Sequence, residues 1–196
     1  MNQHVAPPNI PPVTVPPANG RPSSDFYPTP HEATKALLQH ERFPGAIWEP
    51  AAGHGDICEV LRSEGFTEIF TSDKHNHLGG PIHDAYGDFT GMDRGDRRVD
   101  HIVTNPPYGV AEKFIRHALT QADSKVAMLL RLAFLESITR RPFFDDNPPA
   151  RVWVFRKRLS LYPYGHSKFG KGGGKTAMAW FVWDRSHRGR PQIDWL

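Results

Sequence analysis

GAIWEPAAGHGDICEVLRSEG, Gly45 to Gly65, reads as a strand, a loop and a helix in succession. The apolar run Ala46-Ile47-Trp48 is bounded by Gly45 and Pro50, the punctuation of a short strand. From Asp56 onward apolar residues recur at helical spacing, and Gly65 is the residue type that closes a helix in the left-handed conformation. Between them, Gly53 and Gly55 permit a tight turn and let a ligand approach the first helical turn closely.

The same alternation continues outward. Upstream, TPHEATKALLQHE (Thr29–Glu41) predicts a helix, with Thr29 as its cap and Pro30 at its first position. Downstream, TEIFTSD, VDHIVTN and KVAMLLR predict strands, and VAEKFIRHALTQA an amphipathic helix. AFLESITRRPFF (Ala133–Phe144) predicts a further helix, and ARVWVFRKR and TAMAWFVWD two last strands joined by a long loop. Strands apolar throughout, separated by helices, indicate a mostly parallel sheet covered on both faces. The last two strands have no helix between them, which predicts an antiparallel pair at one edge.

The chain has 196 residues, enough for one sizeable domain and a tail, and a formal net charge of +3 that permits a polyanionic partner. Cys58 is the only cysteine, which excludes a disulfide framework and points to a reducing, cytoplasmic setting. No apolar run is long enough to span a membrane. Met1–Pro22 is proline-rich and predicts a disordered or polyproline-like tail, leaving residues 23–196 as the single domain.

A second segment carries chemistry. DHIVTNPPYGV (Asp100–Val110) is an apolar strand that stops at an amide, two prolines and a tyrosine. The prolines stiffen the turn and offer Asn105 and Tyr108 at a fixed separation. The dinucleotide pattern Gly-x-Gly-x-x-Gly is not met, because Cys58 stands at its last glycine. Glu49, just before the glycine loop, would repel a pyrophosphate and suits a cationic ligand. Asp73 ends the second strand, the spacing at which a carboxylate meets a ribose in nucleotide-binding folds. GKGGGKT (Gly170–Thr176) is not a phosphate loop, since Phe169 takes the first glycine's place and a strand follows. His75, His77 and His83 lack cysteine or carboxylate partners at metal-binding separations. Cys58 reads as a packing residue.

Glu-Pro-Ala-Ala-Gly-x-Gly after one strand, an acid ending the next, Asn-Pro-Pro-Tyr after a later one, and DFYPTP (Asp25–Pro30) ahead of them form one pattern. It resembles the S-adenosylmethionine-dependent N6-adenine DNA methyltransferases, in particular their small phage and restriction-associated form, over about Asp25 to Asp184. The resemblance implies a Rossmann-like class I methyltransferase fold, α/β, with a seven-stranded, mostly parallel sheet and a C-terminal antiparallel strand. It implies that Tyr27, Pro28 and Thr29 pack around the methionine end of the cofactor. Glu49, Pro50, Ala51, Ala52, Gly53 and Gly55 would form its cradle. Asp73 would hold the ribose, Lys74 and His75 would line the adenine side, and Asp88 and Phe89 would bind and cover the adenine. Asn105, Pro106, Pro107 and Tyr108 would be catalytic, with Asn105 also facing the cofactor. No insertion large enough for a separate recognition domain is present, so any sequence specificity falls to short loops.

The loop from Arg156 to Thr176 interleaves basic and aromatic residues, a composition suited to phosphates and stacked bases. Arg156, Lys157, Arg158, Tyr162, Tyr164, His166, Lys168, Phe169, Lys171 and Lys175 are its candidate nucleic-acid contacts. The expected partner is DNA, with RNA open. Rival readings are a protein glutamine N5-methyltransferase, which also uses Asn-Pro-Pro-Tyr, an RNA base methyltransferase, and a non-catalytic nucleic-acid-binding module.

Overall fold

The computed structural model describes residues 27–77, 80–161 and 176–196. The proline-rich segment Met1–Pro22 and the loop residues 162–175 lie outside these described residues. Four α-helices occur among the described residues: α1 (His31–His40), α2 (Asp56–Ser63), α3 (Ala111–Gln121) and α4 (Arg141–Asp146). The strands are β1 (Ile47–Glu49), β2 (Ile69–Asp73), β3 (Ala85–Tyr86), β4 (His101–Thr104), β5 (Lys125–Arg131), β6 (Arg151–Val154), β7 (Met178–Asp184) and β8 (Gln192–Trp195). Together they form an eight-stranded sheet in the order 3-2-1-4-5-7-6-8.

β7 pairs antiparallel with both neighbours, and every other pairing is parallel. The antiparallel strand is therefore internal. The expected antiparallel pair is found in β6 and β7, but its place is corrected: β7 slots between β5 and β6, and β8 takes the edge beyond β6. The sheet has one strand more than the expected seven; β3, only two residues long, and β8, whose residues are all exposed, are the two that none of the six predicted strand segments covers.

β5 shows why an all-apolar strand means burial on both sides. Val126, Met128 and Leu130 join one core cluster with Trp48, Ile115 and Phe181, while Ala127 and Leu129 join the other with Leu37, Leu61 and Trp180. Side chains alternate across the sheet, so each face needs its own apolar set.

Two local expectations are corrected. Ala133–Phe144 is not one helix. Two 3-10 turns, Leu132–Leu135 and Ile138–Arg140, precede α4, with Ser137 extended between them. Pro142 lies in the first turn of α4, where its missing N–H costs nothing. Thr29 does not cap α1, whose N-cap is Pro30 with no side-chain bond. Its hydroxyl is used elsewhere, as shown below.

At the amino end of the parallel strands, Glu41 just past α1 gathers a buried ion network. Its carboxylate accepts from Lys125 Nζ at 2.8 Å, Arg151 Nη2 at 3.0 Å and Trp153 Nε1 at 3.0 Å. Arg151 Nη2 also reaches Asp184 at 2.7 Å. Burial opposes the charge on Glu41, yet the Arg151, Lys125 and Trp153 bonds hold its carboxyl below the ordinary value. The network ties α1 to β5, β6 and β7.

His101, at the start of β4, is buried with Nε2 2.9 Å from the Pro44 carbonyl and its ring edge-on to Phe43. Burial holds the His101 and His83 imidazoles below the ordinary histidine value. The unfolded chain therefore takes up protons first, and stability present above about pH 6.5 falls as pH drops through that value. The low carboxyls of Asp88 and Asp184, at about 2, act only in a more acidic window. Glu49, whose carboxyl burial pushes well up, contributes with the opposite sign, so the histidine share is read by difference: from about pH 7.5 to 5.5 the Tm of His101→Phe should lose less than that of wild type. A profile equally steep in the variant would contradict this assignment.

Candidate active site

The strand order reverses between β1 and β4, which are adjacent but lead into connections that run to opposite sides. Ligands of open α/β sheets bind at the carboxyl ends of strands at such a switch point. The glycine loop leaves β1 here, and Asn-Pro-Pro-Tyr leaves β4 beside it.

The loop is stapled to the end of β2. Gly53 N donates to Asp73 Oδ2 at 2.9 Å, Ala52 N to the Ser72 carbonyl at 3.1 Å, and Trp48 Nε1 to Ser72 Oγ at 2.8 Å. Gly53 and Gly55 have φ of 54° and 83°, a left-handed backbone that glycine adopts without a Cβ penalty. His83 Nε2 lies 3.0 Å from the Gly53 carbonyl and holds the loop from the other side.

Asp73 also accepts from His75 N at 2.8 Å and lies 3.2 Å from His77 Nε2. Burial works against its charge, but the bonds from His77, His75 N and Gly53 N hold its carboxyl below the ordinary value. A carboxylate offers about four acceptor sites, so one remains for a ligand hydroxyl. Glu49 behaves oppositely. It is 2% exposed and accepts the Cys58 thiol at 2.6 Å, and burial, reinforced by Asp56 and Asp73, pushes its carboxyl well up. Cys58 is thus more than packing: it gives the buried acid its hydrogen-bond partner. At the rim, Lys74 Nζ meets Asp88 Oδ2 at 2.9 Å, and that bond with those from Thr90 lowers the Asp88 carboxyl to about 2.

These groups surround a cavity of about 360 Å³, within the range of small-molecule sites. Of the expected residues, Tyr27, Thr29, Glu49, Pro50, Ala51, Ala52, Asp73, Lys74, His75, Asp88, Phe89, Asn105 and Pro107 line it. Pro28, Gly53, Gly55, Pro106 and Tyr108 do not; the two glycines shape the loop from behind. Asp56, Ile57, His77, Thr90, Val110, Lys113 and Phe114 line the cavity without having been anticipated. Val110, Lys113 and Phe114 share one helical stripe opening α3, a spacing visible in the sequence once α3 is known to start at the switch point.

Asn105 is held from one side only. Its Nδ2 donates to the Tyr27 carbonyl at 3.2 Å and to Thr29 Oγ1 at 3.1 Å. A carbonyl can only accept, so the amide nitrogen must face Tyr27 and the oxygen must face away. That oxygen, Oδ1, is buried and has no hydrogen-bond partner among the described residues. The Tyr108 ring is half-buried and stacks with Tyr27 at 6.1 Å between centroids and 26° between planes. Arg156, Lys157 and Arg158 are exposed beyond β6. The other candidate nucleic-acid contacts lie outside the described residues.

No family model matches the sequence, and no curated protein matches it. Among solved structures, the chain is similar to a Pyrococcus horikoshii protein described as a candidate RNA methyltransferase, with TM-score 0.60, 16% identity, and coverage of 81% of this chain and 85% of that one. It is similar to a modification subunit assigned to a type I restriction enzyme of Vibrio vulnificus, with TM-score 0.54, 16% identity, and coverage of 88% and 47%. It is also similar to the magnesium protoporphyrin IX methyltransferase of Synechocystis, solved with bound S-adenosylmethionine, with TM-score 0.51, 13% identity, and coverage of 78% and 77%. At these identities the likeness is one of fold. The chain has the α/β, Rossmann-like fold of these methyltransferases. Among the described residues no helix is long and apolar enough to cross a membrane.

Proposed function

We propose that the protein transfers the methyl group of S-adenosylmethionine to the N6 amino group of adenine in DNA. The observation that carries this reading is the Asn105 amide, clamped through Nδ2 while its buried Oδ1 is left without a partner. An unsatisfied buried acceptor costs about 1–3 kcal/mol, and a substrate N–H would relieve that cost.

The cavity residues fit the cofactor. Glu49 offers a buried acid to a cationic group, whose charge would favour its ionised form. Asp73 keeps one acceptor site for a ribose hydroxyl, Lys74 and Asp88 stand at the adenine end, and Phe89 and Phe114 supply apolar wall. When bound, S-adenosylmethionine supplies an already activated methyl group, so the protein's task is chiefly alignment.

The adenine N6 is a weak nucleophile because its lone pair is delocalised into the ring. Asn105 Oδ1 and the Pro106 carbonyl accepting its two hydrogens would favour a pyramidal nitrogen with the lone pair free. Asn105 accepts these bonds without taking a proton, so the proton shed on transfer passes to solvent. Tyr108 would stack on a base rotated out of the duplex.

Incubation with methyl-labelled cofactor and separate DNA, RNA and glutamine-containing protein substrates tests the reading. Digestion of the DNA should yield label in N6-methyl-2′-deoxyadenosine. Label confined to RNA or to glutamine would overturn the substrate assignment. Absence of cofactor binding by calorimetry would overturn the enzyme.

A further inference from the structure

Arg131 ends β5 at the carboxyl side of the sheet, one strand away from Asn105–Tyr108. Its guanidinium carbon stands 5.0 Å from the centroid of the Tyr108 ring. The side chain is exposed, and among the described residues it makes no hydrogen bond or ion pair. A cation without a hydrogen-bond or ion-pair partner among the described residues thus lies over the ring proposed to receive the target base. Stacked groups sit about 3.5–4.0 Å apart, so guanidinium and base cannot share that face. Tyr27, which stacks with the ring, is held by its carbonyl on Asn105 Nδ2. Arg131 is long and, among the described residues, is tethered only by its contact with the ring, so it is the group able to leave.

We propose that Arg131 is a movable cap on the base site. It covers Tyr108 in the free protein, yields the face to the incoming base, and then pairs with the phosphate of the extruded nucleotide. A nucleotide's phosphate is joined to its base through a single sugar, which keeps it within reach of a side chain that has just left the base's stacking position. The planar fork of arginine matches phosphate oxygens two at a time. Loss of cation–π contact on one side is thereby offset by a charge-assisted pair on the other. This positioning role rests on the base-transfer reading above, and adds a contact outside the basic loop singled out by composition.

Steady-state methylation of an adenine-containing duplex at several salt concentrations tests it, with Arg131→Ala and Arg131→Lys beside wild type. Arg131→Ala should raise KM for DNA about tenfold. It should also make the dependence of log KM on log salt shallower by about one. Turnover at saturating DNA and cofactor affinity should stay near wild type, which a merely structural role would not predict. Arg131→Lys should restore the salt slope, since the charge returns, but only part of the KM, since the fork does not. Wild-type KM and slope in Arg131→Ala, with an active wild type, would overturn the cap alone. A wild type that transfers nothing to DNA would overturn the cap together with the reading beneath it.

Discussion

Asn105→Ala is expected to slow single-turnover methyl transfer by about 10²–10³-fold, the scale of deleting one preorganised partner of a developing charge. Cofactor affinity should change far less, because Glu49, Asp73 and the glycine loop are untouched. The substitution removes Oδ1, the acceptor, and also Nδ2, which organises Tyr27 and Thr29. Thr29→Val separates the two contributions. It deletes one anchor and leaves the amide in place, held by the Tyr27 carbonyl, so a loss of only about tenfold is expected. The losses need not add, since amide, anchor and stacked ring work in contact. Rapid-quench measurement with saturating cofactor and DNA would read both. A wild-type rate in Asn105→Ala would remove the amide from the mechanism.

Glu41→Ala should destabilise the fold by about 3–5 kcal/mol, the cost of breaking a buried ion pair by removing one partner. Lys125 and Arg151 would then share Asp184 alone, 3.8 and 2.7 Å away, and Trp153 Nε1 would lose its acceptor. At roughly 2–4 °C per kcal/mol for a chain of this size, Tm should fall by roughly 6–20 °C. The network sits at the amino end of the parallel strands, opposite the cavity, so methyl transfer per folded molecule should persist below the new transition. Urea unfolding would check the loss directly. A midpoint unchanged in Glu41→Ala would mean that the network contributes nothing beyond what Asp184 supplies.

The parts of this fold that were legible in the sequence are those whose signal is local. Gly53, Gly55 and Gly65 sit where the backbone needs a left-handed turn, and β5 and β7 are apolar at every buried position. Thr29 was misread because Thr-Pro ahead of a helix looks like a cap, whereas its true partner, Asn105, is 76 residues away. The Ala133–Phe144 segment has helix-forming residues, but Ser137 takes an extended conformation that composition does not announce. β8 was missed since pairing with β6 buries none of its side chains and leaves no apolar signature. Of the cavity lining, Glu49 to Ala52, Asp73 and Asp88 were readable from motif and order. Lys113 and Phe114 were not, because their place depends on which strands end side by side.

The internal position of β7 has a consequence for biosynthesis. In the register of the sheet, Arg131 lies opposite Met178 and Lys125 opposite Asp184. A ribosome adding about 5–20 residues per second needs several seconds to travel from the end of β5 to the end of β7. Throughout that interval the nascent chain carries an unpaired β5 border, and β6, though already synthesised, has no neighbour to dock on until β7 arrives between them. Trp180, Phe181 and Trp183, all buried at the end, are the last large side chains to reach the core. The sheet therefore closes late and from the inside. Transcripts interrupted shortly before the Met178 codon should yield insoluble products, whereas interruption just after Asp184 leaves every core strand made and only residues 185–196, with the exposed β8, missing.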